Sequence, residues 1–86
     1  MIQVEIFTQD FCGYCTKAKQ LIQRKINEGM FASIEEYNIM NNSEYKKDLK
    51  ERLPEAKTVP QIFLNGLAIG GYENLIDYIE DHTGVW

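Results

Sequence analysis

One stretch of sequence decides the fold, residues 2–26, which reads IQVEIFTQDFCGYCTKAKQLIQRKI. At its start Ile2, Val4 and Ile6 alternate with other side chains, a pattern typical of a short β-strand. After the two cysteines, apolar residues recur at helical spacing, at Cys15, Ala18, Leu21, Ile22 and Ile26. The stretch therefore predicts a strand and then an amphipathic helix, with Cys12 at the turn between them.

A second strand and a second helix are predicted next. Residues 34–39 alternate in polarity, which indicates a strand. Asn41, with Glu44 three positions later, predicts the start of a helix, and Pro54 predicts its end. The apolar stripe of this helix is Tyr45, Leu49 and Leu53.

The last part of the chain predicts a hairpin and a third helix. Two short apolar runs, 61–64 and 67–69, are joined by Asn65-Gly66, a two-residue turn signal. The final helix has the apolar stripe Tyr72, Leu75, Ile76 and Ile79. The order indicates an α/β domain that fills residues 1–86. A right-handed crossover places the cysteine turn at the carboxyl edge of the first strand.

Length and charge exclude several classes of protein. A chain of 86 residues with 44% apolar residues is one small globular domain. The net charge of -4 argues against a general nucleic-acid-binding surface. The start of the chain lacks the basic leader and the cleavage site of an export signal. We therefore expect a cytoplasmic protein with no nucleic-acid or membrane partner.

The only cysteines are Cys12 and Cys15. A bridge across two residues constrains the unfolded chain little, so stabilisation is a poor explanation for the pair. At a helix start, Cys12 faces unpaired N–H groups and the positive end of the helix dipole, which favour the thiolate. Cys15 lies one turn further, closer to the buried stripe. The pair predicts thiol–disulfide exchange, in which Cys12 attacks a substrate disulfide and Cys15 resolves the mixed disulfide.

The alternative to a redox role for the two cysteines is that they bind zinc. Four-coordinate zinc needs two further ligands, and the only histidine, His82, lies in the last predicted helix. No metal is therefore expected at the cysteines, and His82 is interpreted as a residue that favours a helix C-terminus. The aromatic residues without a predicted chemical role are assigned to core or rim packing, namely Phe7, Phe11, Phe31, Phe63 and Trp86.

Two other segments carry a signal. Pro60 opens a predicted strand, where it cannot donate a ladder hydrogen bond. The residue pattern does not decide between a cis and a trans Val59–Pro60 bond. Gly70-Gly71 precede the last helix, where they allow a ligand carboxylate to approach the N–H groups that start it.

Cys12-Gly13-Tyr14-Cys15, Thr58-Val59-Pro60 and Gly70-Gly71-Tyr72 together resemble glutaredoxins of the dithiol type, in particular small bacterial and phage members. The resemblance covers nearly the whole chain. It implies a thioredoxin-like fold of order βαβαββα, with a four-stranded mixed sheet and three helices, and a cis bond at Pro60. It also implies glutathione as the reductant, in a monomer without a tightly bound cofactor. The implied substrates are glutathione mixed disulfides and protein disulfides, with ribonucleotide reductase as a candidate.

The resemblance further implies where glutathione binds. Tyr14 borders the groove, the backbone of Val59 pairs with the cysteinyl part, and residues 71–74 hold the γ-glutamyl end. Gln9 and Lys19 are further candidates. The full implied set is Tyr14, Thr58, Val59, Pro60, Gly71, Tyr72, Glu73 and Asn74.

Three features of the sequence depart from the family pattern. Gly13 stands where proline is common, which restores a backbone N–H to the turn. Gln9 stands where many members carry Lys or Arg, so a cation for the glycyl carboxylate is missing, and Lys19 or Lys47 is the candidate to replace it. Glu73-Asn74 replaces a Ser/Thr-Asp pair, which moves the carboxylate for the γ-glutamyl ammonium by one position.

These departures leave two other functions open. Some glutaredoxins with a small residue at the position of Gly13 hold a [2Fe–2S] cluster between two monomers, with the Cys12 counterpart and glutathione as ligands. The altered glutathione contacts are also compatible with a thioredoxin-like donor that a flavoprotein reductase serves. Iron content after anaerobic purification tests the first, and coupled assays with the two reductases test the second.

Overall fold

The computed structural model describes residues 1–83. Within that range, helices and strands follow the order that the sequence predicts. The elements are β1 Gln3–Thr8, α1 Gly13–Asn27, β2 Ser33–Asn38, α2 Ser43–Arg52, β3 Gln61–Leu64, β4 Leu67–Gly70 and α3 Tyr72–Thr83. None of these helices is both long and apolar enough to cross a membrane, as far as residues 1–83 are concerned.

The strands form one mixed sheet in the order β2-β1-β3-β4. β1 runs parallel to β2, with Gln3 beside Ser33, and antiparallel to β3. β3 and β4 form the predicted antiparallel hairpin. Its turn residues Asn65 and Gly66 have φ values of 50° and 85°, as a tight turn between twisted strands requires.

Helices cover both faces of the sheet, so the end of β1 is packed on both sides. α1 and α3 cover one face over the larger core, and α2 covers the other over a smaller cluster of Phe7, Leu49 and Phe63. The larger core consists of Val4, Ile6, Ala18, Ile22, Phe31, Ile62, Leu64, Leu75 and Ile79. The loop that carries Cys12 therefore leaves a strand that is buried on both faces.

Most local predictions are confirmed. The exceptions are the packing of Phe11, the cap of α2, and the bounds of β2, which lie one residue earlier than the predicted 34–39. Phe7, Phe31 and Phe63 are buried as expected, but Phe11 is fully exposed and packs into neither core. Trp86 lies outside the described residues. His82 Nδ1 lies 2.8 Å from the Tyr78 carbonyl oxygen, in the last turns of α3.

The start of α2 is one residue later than predicted. The Asn42 side chain accepts a hydrogen bond from the Glu44 N–H at 2.9 Å, so Asn42 is the cap. Asn41 instead donates its N–H to the Asn38 carbonyl at 3.1 Å and closes the turn after β2. The chain needs that turn to leave the sheet before the helix can begin.

Candidate active site at the dithiol

The two cysteines lie at the first turn of α1 and are joined by a disulfide. Cys12 is the cap residue, and its Sγ accepts a hydrogen bond from the Cys15 N–H at 3.1 Å. Their Cα atoms are 5.2 Å apart, within the range of about 4.4–6.8 Å for a disulfide. Cys15 is only 2% exposed, whereas Cys12 is partly exposed. Cys12 is therefore the sulfur that an incoming substrate can reach.

The segment before β3 lies directly beside the dithiol. The Val59–Pro60 bond is cis, which is the isomer that the resemblance implies. The carbonyl oxygen of Val59 lies 3.8 Å from Cys12 Sγ. A ligand that extends along Val59 can thus present a sulfur atom to Cys12.

A groove of about 420 Å³ opens along Val59, the residue whose carbonyl oxygen lies near Cys12 Sγ. It brings together all eight residues of the main implied glutathione set. The rings of Tyr14 and Tyr72 lie 5.9 Å apart between centroids, from α1 and α3 respectively. Gln61 and Gly70 also line the groove. The sequence indicated Gly70, as part of Gly70-Gly71, but it did not indicate Gln61.

Asn74 shapes the α3 end of the groove. Its Oδ1 accepts a hydrogen bond from the Gly71 N–H at 3.0 Å, so the amide caps the start of α3. Gly70 has a φ of 108°, and a Cβ at that position would collide with the Asn74 side chain. Among the described residues that line the groove, Glu73 is the charged one. The carboxylate at this end is therefore that of Glu73.

Gln9 and Lys19 lie outside the groove. Lys19 Nζ pairs with Glu36 Oε2 at 3.0 Å, and Thr8 Oγ1 donates to the same oxygen at 2.7 Å. Burial raises the pKa of Glu36, but the hydrogen bonds from Thr8 and Lys19 together lower it below its usual range. Glu36 is therefore ionised at neutral pH and holds Lys19 on the β2 side of the dithiol.

A basic cavity adjoins the groove, and the sequence did not reveal it. It has a volume of about 460 Å³ and lies between α2 and the segment before β3. Thr58 and Val59 line both the cavity and the groove. Its other lining residues are Gln9, Ile39, Lys46, Leu49, Lys50, Ala56 and Lys57. The spacing of Lys46 and Lys50, one helical turn apart, is the sequence signal that could have indicated it.

Across residues 1–83, the structure holds no group of three or more His, Cys, Asp or Glu side chains that could hold a metal ion.

The fold and the site together define a class of protein. A four-stranded thioredoxin-like sheet carries a cysteine pair at the start of α1, with a cis-proline segment beside it. One sulfur is reachable and the other is buried, which suits consecutive thiol–disulfide exchange steps. The protein is a thiol–disulfide oxidoreductase.

Comparison with known proteins specifies the family. A family model for glutaredoxin matches residues 4–69. Glutaredoxin 1 of Escherichia coli K12 is 30% identical over 82 residues, which are 94% of this chain and 96% of that protein. Glutaredoxin 3 of the same strain is 36% identical over 75 residues, 87% of this chain and 83% of that protein. The structure of reduced Escherichia coli glutaredoxin, at 30% identity, aligns with a TM-score of 0.80 over 96% of this chain and 99% of that chain. The chain belongs to the glutaredoxin family.

Proposed function

We propose that the protein is a glutathione-dependent oxidoreductase that reduces glutathione mixed disulfides and protein disulfides in the cytoplasm. Cys12 is the nucleophile and Cys15 is the resolving thiol. The observation that carries the proposal is the position of Cys12 Sγ, which caps α1 and lies 3.8 Å from the carbonyl oxygen of the groove residue Val59, while Cys15 is buried. Family membership supports glutathione as the reductant.

Mixed disulfides need only Cys12. Its thiolate attacks the glutathione sulfur, the bond between glutathione and the substrate breaks, and the substrate leaves as a thiolate that takes up a proton. A second glutathione thiolate then attacks the glutathione sulfur on Cys12. This step releases glutathione disulfide, one half of which comes from the substrate, and regenerates the Cys12 thiolate. Each turnover therefore consumes one free glutathione and releases one substrate thiol.

Protein disulfides need both cysteines. Cys12 forms a bond with one substrate sulfur, and the other substrate sulfur leaves as a thiolate. The Cys15 thiolate then attacks Cys12 Sγ, which releases the reduced substrate and forms the Cys12–Cys15 disulfide. Their Cα separation of 5.2 Å allows this bond without movement of the backbone. Two glutathione molecules then reduce the disulfide.

The groove and the basic cavity offer partners for both ends of glutathione. Glu73 is positioned to face the γ-glutamyl ammonium, in place of the carboxylate that Asn74 lacks. The glycyl carboxylate is assigned to the basic cavity, where Lys50 and Lys57 supply the charge that Gln9 does not. The backbone of Val59 lies between the two and supports the cysteinyl part.

Cysteine variants test the assignment of roles. We expect Cys15→Ser to keep turnover of a small glutathione mixed disulfide and to lose reduction of a protein disulfide. Cys12→Ser should lose both, because Cys15 is buried. Each variant is measured in an assay coupled to glutathione reductase, and a parallel assay with thioredoxin reductase tests the other source of electrons. Activity of Cys12→Ser on both substrates would refute the mechanism.

A further inference from the structure

A fully exposed aromatic ring stands next to the nucleophile and has no role in the reaction described above. Phe11 immediately precedes Cys12, and it is 104% exposed relative to the reference residue. Phenylalanine usually buries most of its ring, because the ring carries a large apolar surface. The Phe11 ring instead projects into solvent at the place where a substrate disulfide must arrive.

The backbone around Phe11 is constrained. Phe11 has a φ of 57°, in the left-handed region that bulky residues rarely adopt. Asp10 Oδ1 accepts a hydrogen bond from Asn38 Nδ2 at 2.9 Å, which ties the loop to the end of β2. Cys12 is held on the other side as the cap of α1. Such a conformation persists only where the surrounding structure maintains it.

Met40 adds a second exposed apolar side chain on the loop that follows β2. It is 59% exposed, and its N–H donates to Asn38 Oδ1 at 2.9 Å. Asn38 therefore bonds to both loops, through Asp10 and through the backbone of Met40. We call Phe11 and Met40 the apolar rim. Neither residue lines the groove. Phe11 instead lines a separate pocket of about 400 Å³ together with Cys12, Cys15 and Asn38, so the rim meets Cys12 through Phe11.

We propose that the apolar rim is a docking surface for the protein part of a substrate. It selects segments with a large aliphatic or aromatic side chain within three residues of the attacked cysteine. The proposal rests on the proposed function, since glutathione in the groove leaves the rim side of Cys12 for the protein segment. In the mixed-disulfide reaction this segment carries the thiolate that leaves.

Chain geometry sets the reach of the rim. Adjacent Cα atoms are about 3.8 Å apart, so the Phe11 backbone is one such step from Cys12. The Cα atoms of a disulfide lie about 4.4–6.8 Å apart, and extended residues advance about 3.3 Å each. Substrate residues close in sequence to the attacked cysteine are therefore the ones that meet the rim. The Phe11 side chain has only two torsions, so its ring provides apolar contact area at low entropic cost. A polar substrate segment would gain little binding energy from this contact.

Two glutathionylated peptides test this surface. They differ only in carrying Leu or Ser at the second position on each side of a single cysteine. The measured quantity is the ratio of kcat/KM for the Leu peptide to that for the Ser peptide. We expect a ratio of about fivefold for the wild-type protein, because part of a leucine side chain is removed from water. Phe11→Asn, which suits a left-handed backbone, should reduce the ratio to about one, and Phe11→Trp should preserve it.

Leu67→Asn is the matched control. Leu67 is an apolar residue that is 74% exposed, and it lies at the end of the sheet where β1 begins, away from Cys12. Its variant should keep the wild-type ratio. If Phe11→Asn fails to fold, Phe11→Gly provides the same test, because glycine also accepts a positive φ.

The outcomes separate the docking surface from the proposed function. A wild-type ratio near one, or an unchanged ratio in the folded Phe11→Asn or Phe11→Gly variant, overturns the docking surface. An equal loss of the ratio in Leu67→Asn overturns it as well. Absence of turnover for both peptides and for a small glutathione mixed disulfide would instead overturn the proposed function.

Discussion

The chemistry of Cys12 follows from its position as a helix cap. The N–H of Cys15 that contacts Cys12 Sγ in the disulfide is also in place to stabilise the thiolate after reduction. The helix dipole of α1 acts in the same direction. Cys15 is buried, and its N–H is the group that donates to Cys12 Sγ. One helix turn thus makes two identical side chains chemically different.

Glu73 is expected to set the affinity for the γ-glutamyl end. An exposed ion pair is worth about 0.2–1 kcal/mol, so Glu73→Gln should raise the KM for glutathione by about 1.4- to fivefold. Asn74→Asp should lower the KM, because it adds a carboxylate and keeps an oxygen for the Gly71 N–H. Asp77→Asn, an exposed carboxylate further along α3, is the matched control. Glutathione without its α-amino group should not respond to Glu73→Gln, and an equal response would contradict the assignment.

The lysines of the basic cavity are expected to act on the other end of glutathione. Lys50→Gln and Lys57→Gln should each raise the KM by about two- to fivefold at low salt, and less at high salt. Lys47→Gln is the control, because Lys47 is an exposed lysine on α2 that does not line the cavity. Glutathione esterified at its glycyl carboxylate should lose the dependence on Lys50 and Lys57. A KM that is equal in all three variants would contradict the assignment.

At the scale of elements, Gly70 links the β4–α3 turn to the groove. Gly70→Ala should lower the free energy of unfolding by about 1 kcal/mol or more, because an alanine at positive φ is strained and its Cβ displaces Asn74. Displacement of Asn74 should also raise the KM for glutathione. Gly29→Ala shares the positive φ but meets nothing within 4 Å, so it should lower stability without changing the KM. Urea unfolding and steady-state kinetics measure the two effects, and an unchanged KM in Gly70→Ala would refute the link.

Elements with strong local signals could be predicted from the sequence. The bounds 61–64 of β3 and the turn at Asn65-Gly66 are the same in the structure. The choice between Asn41 and Asn42 as the cap could not be predicted, because both side chains can cap a helix. The path of the chain out of β2 decides it, and there the Ile39 N–H is bonded to the Thr8 carbonyl of β1.

Parts of the site that depend on packing between distant segments could not be predicted. Lys19 was a candidate for the groove, but Glu36 of β2, 17 positions away, pairs with it instead. The basic cavity forms only where α2 lies against the segment that contains Thr58 and Val59. The exposure of Phe11 likewise depends on its backbone conformation, which no local pattern indicates.

At the scale of the whole molecule, one ion pair attaches α2 to the sheet. The Arg52 guanidinium donates to both oxygens of Glu5 at 3.1 and 2.9 Å and lies 4.0 Å above the Phe63 ring. The Tyr37 hydroxyl donates to Glu5 as well, at 3.1 Å. The network adds to the apolar cluster under α2 in attaching the helix to the sheet. Since α2 carries Lys46 and Lys50, the network also holds the basic cavity in shape.

The network predicts a loss of stability in acid. Hydrogen bonds from Arg52 lower the pKa of Glu5, burial opposes them, and the Tyr37 hydroxyl lowers it further, so the pKa lies below its usual range. A lowered folded-state pKa stabilises the protein fully above the unfolded-state value of about 4.3, and this stabilisation is lost as pH falls through the folded-state pKa. Glu5→Gln should therefore lower the free energy of unfolding by about 1–2 kcal/mol at pH 7, and the difference from wild type should shrink below about pH 4. Urea unfolding followed by circular dichroism between pH 7 and pH 3 measures it, with Glu55→Gln as the control for an exposed carboxylate. The pKa of Glu36 is also lowered, so the Glu5→Gln variant should still lose some stability in acid. If the difference in unfolding free energy between wild type and Glu5→Gln stays constant down to pH 3, Glu5 is not the responsible group.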